Sequence, residues 1–211
     1  MKIKVCGMRE AGNLAAIAGL NPDLLGFIFY EKSKRYMRDT LVPAQVRSLP
    51  PGIAKVGVFV DAELDELAAT ACQYALDYVQ LHGHETADYC RRAQALGLHV
   101  IKAFAVAETF NFGPLAAYSP YCDLFLFDTK GELPGGNGTA FDWSVLAGYT
   151  GPTPFLLSGG LGLLNISALL SFQHPQLAGY DFNSHLETAP GVKDLAATQE
   201  LLQLLHRESA N

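Results

Sequence analysis

The stretch Ala54–His82, AKVGVFVDAELDELAATACQYALDYVQLH, contains a complete strand–helix–strand unit. Ala54–Val60 is a short run rich in Val and Phe, the composition of a strand buried on both faces. Glu63–Leu76 then sets Leu64, Leu67, Ala68, Ala71, Ala75 and Leu76 at helical spacing, and Tyr78–His82 begins a second apolar run. Two buried strands joined by such a crossover run parallel.

The same alternation continues to both ends of the 211-residue chain. Eight strands are expected, at Lys2–Cys6, Leu24–Tyr30, Ala54–Val60, Tyr78–His82, His99–Val106, Asp123–Asp128, Pro154–Ser158 and Gly179–Asn183, with starts 21 to 31 residues apart. Helical period recurs at Thr86–Leu96, with Thr86 as N-cap, and at Asp194–Leu205. The pattern predicts a single α/β domain over residues 1–211, a (β/α)8 TIM barrel. An open doubly wound sheet is the alternative, and eight units are generous for it.

Composition narrows the class. Charged residues are 17% against 49% hydrophobic, so the chain has the material for a core. A formal net charge of −6 argues against a nucleic-acid partner, which selects a basic surface. Apolar runs such as Leu124–Phe127 and Leu161–Leu164 are far too short for a membrane span, and Met1–Val5 lacks the form of a signal peptide. The four cysteines, Cys6, Cys72, Cys90 and Cys122, form no CxxC pair. Reduced thiols in a cytoplasmic, stand-alone protein are expected, as a monomer or homodimer.

In a barrel the residues at the C-terminal strand ends converge on one mouth. Here they are Cys6-Gly7-Met8-Arg9, Ser33-Lys34-Arg35-Tyr36, Asp61, His82-Gly83, Asp128-Thr129, Ser158-Gly159-Gly160 and Asn183-Ser184. The two small-residue turns fall after strands 7 and 8, where barrels commonly bind phosphate through backbone N–H groups. A turn needed only for tight packing is the other interpretation. Gly160–Asn165 nearly matches a dinucleotide fingerprint, with Asp181 about 20 residues on. It ends in Asn and follows six other units, whereas that fingerprint usually opens its domain.

Cys6 and Asp128 carry the candidate chemistry. A thiol of lowered pKa serves as a base, and a protonated carboxyl delivers a proton from the other side. Such a pair suits an isomerisation needing neither metal nor nucleotide. Cys6 as a plain strand residue and Asp128 as a cap or ion-pair partner are equally open on these residues alone. His82-Gly83-His84 has a metal-like spacing, but no second His and acidic cluster stands at another strand end, so no metal is expected. Glu85 and Asp88 read as solvated carboxylates at a helix start. Cys72, Cys90 and Cys122 read as buried thiols, and Gly131–Gly138 as a lid or a loose connection.

Taken together, the motifs resemble the phosphoribosylanthranilate isomerase family along nearly the whole chain. They are Lys4-Val5-Cys6-Gly7, Gly26–Phe29 with Ser33–Tyr36, Val56–Val60, Val79–Gly83, Phe127-Asp128, Gly135–Gly138 with Phe141-Asp142-Trp143, Leu157–Leu161, and Asp181–Ser184 with Glu187 and Pro190–Asp194. The resemblance implies a cofactor-free Amadori rearrangement of N-(5-phosphoribosyl)anthranilate in tryptophan biosynthesis. It implies Cys6 as general base and Asp128 as general acid. Arg35 would face the substrate carboxylate, with His82 and Gly136 beside the substrate. Gly159, Gly160, Asn183 and Ser184 would hold the phosphate. The small-molecule phosphoribosyl substrate would be the partner. Met8, Lys34, Asn137 and His185 depart from the family's usual residues, His185 most of all, since it stands for a glycine near the phosphate turn. Other phosphosugar barrels fit less well. Metal-dependent epimerases need two His and two Asp converging, and indole-glycerol-phosphate synthases use Lys and Glu at strand ends. A non-catalytic barrel would have no need of Cys6 and Asp128.

Overall fold

The computed structural model describes residues 1–129 and 142–209, so the expectations placed on Gly131–Gly138, including Gly136 and Asn137, lie outside the described residues. Eight parallel strands close into a barrel in sequence order: β1 Lys2–Val5, β2 Leu24–Ile28, β3 Ala54–Phe59, β4 Tyr78–Leu81, β5 His99–Val106, β6 Leu124–Thr129, β7 Phe155–Leu157 and β8 Leu177–Phe182. Closure comes from β1 against β8, in register from Lys2↔Gly179 to Val5↔Phe182.

Among the described residues six α-helices surround it: α1 Ala11–Ala18, α2 Pro43–Arg47, α3 Leu64–Tyr74, α4 Ala87–Ala95, α5 Ile166–Ser171 and α6 Leu195–Ser209. Thr86 caps α4 as expected, its Oγ1 accepting from Tyr89 N–H at 3.2 Å. After β5 and β6 the described residues of the connections form 3-10 turns, at Gly113–Ala117, Ser119–Tyr121 and Trp143–Gly148. Pro114 and Pro120 sit in the first turns of two of them, and proline suits a helix start but stops its interior.

The strands sort their side chains by alternation. On β6, Leu124 and Leu126 join Leu24, Val56, Ile101, Ala103 and Leu156 in a plug inside the barrel. Phe125 and Phe127 point the other way, into the layer beneath the helices, where they meet Phe104, Tyr149 and Phe155 edge-on or tilted. The alternation turns the next residue, Asp128, inward above the plug. The same rule aims Lys4 and Cys6 inward on β1, Gln80 and His82 on β4, and Asp181 and Asn183 on β8. The apolar plug forms the floor of the mouth, and these polar side chains form its lining.

Lys102 obeys the rule with a different outcome. Its neighbours Ile101 and Ala103 belong to the plug, so its ammonium goes outside the barrel, beneath α4, at 3% exposure. There it donates to the carbonyls of Leu81, Gly83 and Ala103 and pairs with Glu85 at 3.1 Å. Glu85 is therefore buried, contrary to its expected solvated place, because an ammonium sealed under a helix needs a counter-charge. Its carboxylate also accepts from the Asp61 and Gly83 N–H groups, tying together the turns after β3 and β4. Glu85→Ala is expected to destabilise the fold by about 3–5 kcal/mol by stranding that charge. Urea denaturation checks it, and Glu85→Ala with Lys102→Met should recover most of the loss. Cys72 is exposed, which corrects its expected burial, while Cys90 and Cys122 are buried.

Candidate active site

Cys6 follows β1 with its N–H bonded to the Phe182 carbonyl at 2.8 Å, and its side chain is 4% exposed. Its thiol lies across Gly26 of β2. A Cβ at Gly26 would come within 2.6 Å of Sγ, so glycine leaves the room the sulfur occupies. Burial pushes the thiol's pKa up, and the ammoniums of Lys4 and Lys193 work in the opposite direction. Lys4 is sealed in the barrel at 0% exposure and pairs with Asp181 at 2.8 Å. Burial opposes its charge, but Asp181 outweighs that and holds the ammonium protonated. Asp181 is thus committed to Lys4, which removes it as the ribose ligand of a dinucleotide fingerprint.

Asp128 reaches the mouth from β6. Its Oδ1 accepts the Thr129 N–H at 2.9 Å, and its Oδ2 faces His82 Nε2 at 3.3 Å. His82 in turn has Nδ1 at 2.9 Å from the Gln80 amide. Two side chains, Gln80 of β4 and His82 just past its end, therefore stand behind the carboxyl, although only His82 was expected there.

A second cluster surrounds Cys6. Arg35 lies over Gly7, where a Cβ would meet its Cδ and the Asn183 Oδ1, each at 2.8 Å. Its Nε and Nη2 grip Glu187 in a forked pair at 2.8 and 2.7 Å. Glu187 also takes the Lys193 ammonium at 2.7 Å, and that ammonium donates to Asn183 Oδ1 at 2.8 Å. Burial works to raise the Glu187 carboxyl, but Arg35 and Lys193 overcome it and hold it below the usual range. For Lys193 burial prevails, and its pKa falls. The sequence motif contained Glu187 and Lys193 without a role. They anchor Arg35 and Asn183, and the fork leaves Arg35 Nη1 for another partner.

The remaining expected residues lie on the neighbouring loops. Gly159 and Gly160 have consecutive positive φ angles of +92° and +63°, so their backbone bends through a conformation that L side chains rarely adopt. Asn165 braces this turn, donating to the Gly160 carbonyl at 2.9 Å and accepting from Gly162 N–H at 3.0 Å. Asn183 leads into the 3-10 turn Ser184–Leu186. His185 packs on Gly162, where a Cβ would meet its Cβ at 2.7 Å, so the loops after β7 and β8 touch there. Among the described residues no cluster of three or more His, Cys, Asp or Glu is placed to hold a metal ion. No helix among them is long and apolar enough to cross a membrane.

A closed eight-stranded barrel with a thiol and a carboxyl on strands at one mouth, beside two small-residue turns, is the arrangement of a TIM-barrel enzyme. Comparison with known proteins makes this particular. Residues 3–204 match the family model described as N-(5'-phosphoribosyl)anthranilate (PRA) isomerase. The N-(5'-phosphoribosyl)anthranilate isomerase of Parabacteroides distasonis is 45% identical over 210 residues, 98% of this chain and 94% of that one. The crystal structure of the Thermotoga maritima phosphoribosylanthranilate isomerase superposes with a TM-score of 0.82 at 30% identity, covering 98% of this chain and 99% of the other. A further isomerase structure holds reduced 1-(o-carboxyphenylamino)-1-deoxyribulose 5-phosphate, with a TM-score of 0.79, 30% identity and coverage of 98% and 99%. The chain belongs to the N-(5'-phosphoribosyl)anthranilate isomerase family.

Proposed function

We propose that this protein converts N-(5'-phosphoribosyl)anthranilate to 1-(o-carboxyphenylamino)-1-deoxyribulose 5-phosphate, with Cys6 and Asp128 as its proton-transfer groups. The observation that carries this reading is their placement. One thiol and one carboxyl project inward from β1 and β6 onto one apolar floor, each with its own polar supports. The relative bound to the reduced product analogue supports the choice of substrate.

The chemistry follows from where protons must go. Asp128 gives its proton to the ribose ring oxygen, the C1–O bond breaks, and the nitrogen lone pair forms the C1=N bond of an open-chain iminium. The Cys6 thiolate then takes the C2 proton, and the electron pair of that C–H bond becomes the C1=C2 double bond of an enolamine. Loss of the enol O–H proton and protonation at C1 yield the aminoketose. Net composition is unchanged, as an isomerisation requires. Lys4 and Lys193 supply the positive potential in which the buried thiol ionises. Arg35, oriented by Glu187, offers Nη1 to the anthranilate carboxylate.

The phosphate rests on the backbone N–H groups of Gly159, Gly160, Asn183 and Ser184, with His185 beside them. Gly159→Ala tests this. The new Cβ would strike Thr129, its backbone nitrogen at 2.7 Å, in a conformation alanine avoids. The expected result is a KM raised roughly tenfold, equivalent to one lost interaction, with a smaller change in kcat.

The direct test of the reaction uses anthranilate fluorescence. With substrate formed in situ from anthranilate and phosphoribosyl pyrophosphate, then kept in EDTA, fluorescence should fall in proportion to added enzyme. No loss with folded protein at high concentration would overturn the reading, and His185 would be the first residue to replace.

A further inference from the structure

Gln80 lies inside the barrel at 1% exposure, and the proton transfers above do not use it. Its amide meets His82 Nδ1 at 2.9 Å through Nε2, while its Oε1 has no hydrogen-bond partner among the described residues. A buried carbonyl without a donor is costly and uncommon. Here it is the consequence of aiming the amide N–H at the imidazole. His82 Nε2 faces Asp128 Oδ2 on the other side, at 3.3 Å.

We propose that Gln80 is a positioning residue that keeps the transferable proton on Asp128 by occupying the Nδ1 lone pair of His82. This rests on Asp128 acting as the general acid. A carboxyl and an imidazole that share two protons have two arrangements. One is imidazolium with carboxylate, and the other is neutral imidazole with carboxylic acid. An ordinary imidazole is the stronger base, so the first prevails by default and leaves nothing to give to the ring oxygen. The first also requires hydrogen on both ring nitrogens. An amide N–H donating to Nδ1 blocks that position, so the second proton stays on Asp128, in reach of the substrate. Lys4 and Asp181 are the charged groups of β1 and β8 facing this array, and they are paired with each other.

The experiment is nitrogen NMR of histidine-labelled enzyme, with the His82 signals assigned by their loss in His82→Asn, alongside the kinetics of two Gln80 variants. In the wild type, Nδ1 should be unprotonated and Nε2 protonated. Gln80→Glu presents a carboxylate to Nδ1, so His82 should become imidazolium and kcat should fall at least roughly tenfold, with KM nearly unchanged. Gln80→Met has similar size and adds no charge but no longer blocks Nδ1, so it too should favour the imidazolium and lose kcat. A wild-type His82 protonated at Nδ1 overturns the proposal, and needs no Gln80 variant to fold. A loss of kcat in either variant with the His82 nitrogens protonated as in the wild type overturns it too, by making Gln80 a packing residue. Asp128→Asn with full turnover would instead sink the reading of Asp128 as the acid, whatever the His82 tautomer.

Discussion

Asp128→Asn is expected to lower kcat by roughly 10²- to 10⁴-fold with little change in KM, because one positioned proton donor is lost. The substitution is conservative in size and shape. Asparagine keeps the size and an oxygen able to accept the Thr129 N–H that Asp128 accepts at 2.9 Å. What it lacks is an acidic proton for the departing ring oxygen. A ring opened without that proton leaves an alkoxide over an apolar floor, the least favourable place for a new charge. Steady-state assay with thermal melting separates this loss from misfolding. A folded Asp128→Asn enzyme with wild-type kcat would remove Asp128 from the mechanism.

Cys6→Ser should cost a similar factor for the opposite reason. Serine fits the space over Gly26, so the packing survives, but its hydroxyl ionises far too reluctantly to act as a base. The thiol's environment also sets a pH dependence. Burial raises its pKa and the ammoniums of Lys4 and Lys193 only partly offset that. The active form pairs the thiolate with a protonated acid, so kcat/KM should be bell-shaped in pH, with one limb for each partner. A kcat/KM profile lacking either limb would contradict a thiolate base working with a protonated acid.

The barrel was legible because each strand is a short apolar run and each unit repeats at a similar length, a local property of the chain. Cys6, Arg35, His82, Asp128 and the Gly159-Gly160 turn were legible too, since strand ends share one rim in such a barrel. The supports behind them were not. Lys4 meets Asp181 across 177 residues and Arg35 meets Glu187 across 152, and no window of sequence displays a pairing of that span. Glu85 looked like a solvated residue at a helix start because Lys102, its partner, stands on the outward side of the next strand. Strand alternation was the signal that places Lys102 outside the barrel and Gln80 within it. The 3-10 turns between β5 and β6 carried their own warning in Pro114 and Pro120.

The division of labour between Cys6 and Asp128 is most directly tested by turnover of substrate deuterated at C2 of the ribose. Breaking the C–H bond is the thiolate's step, and opening the ring is the carboxyl's. In Cys6→Ser the proton abstraction is slowest, so deuterium should slow turnover by a full primary isotope effect. In Asp128→Asn ring opening is slowest, so protonated and deuterated substrates should react at equal rates. The reverse pattern, or equal rates in both variants, would contradict the assignment of base and acid.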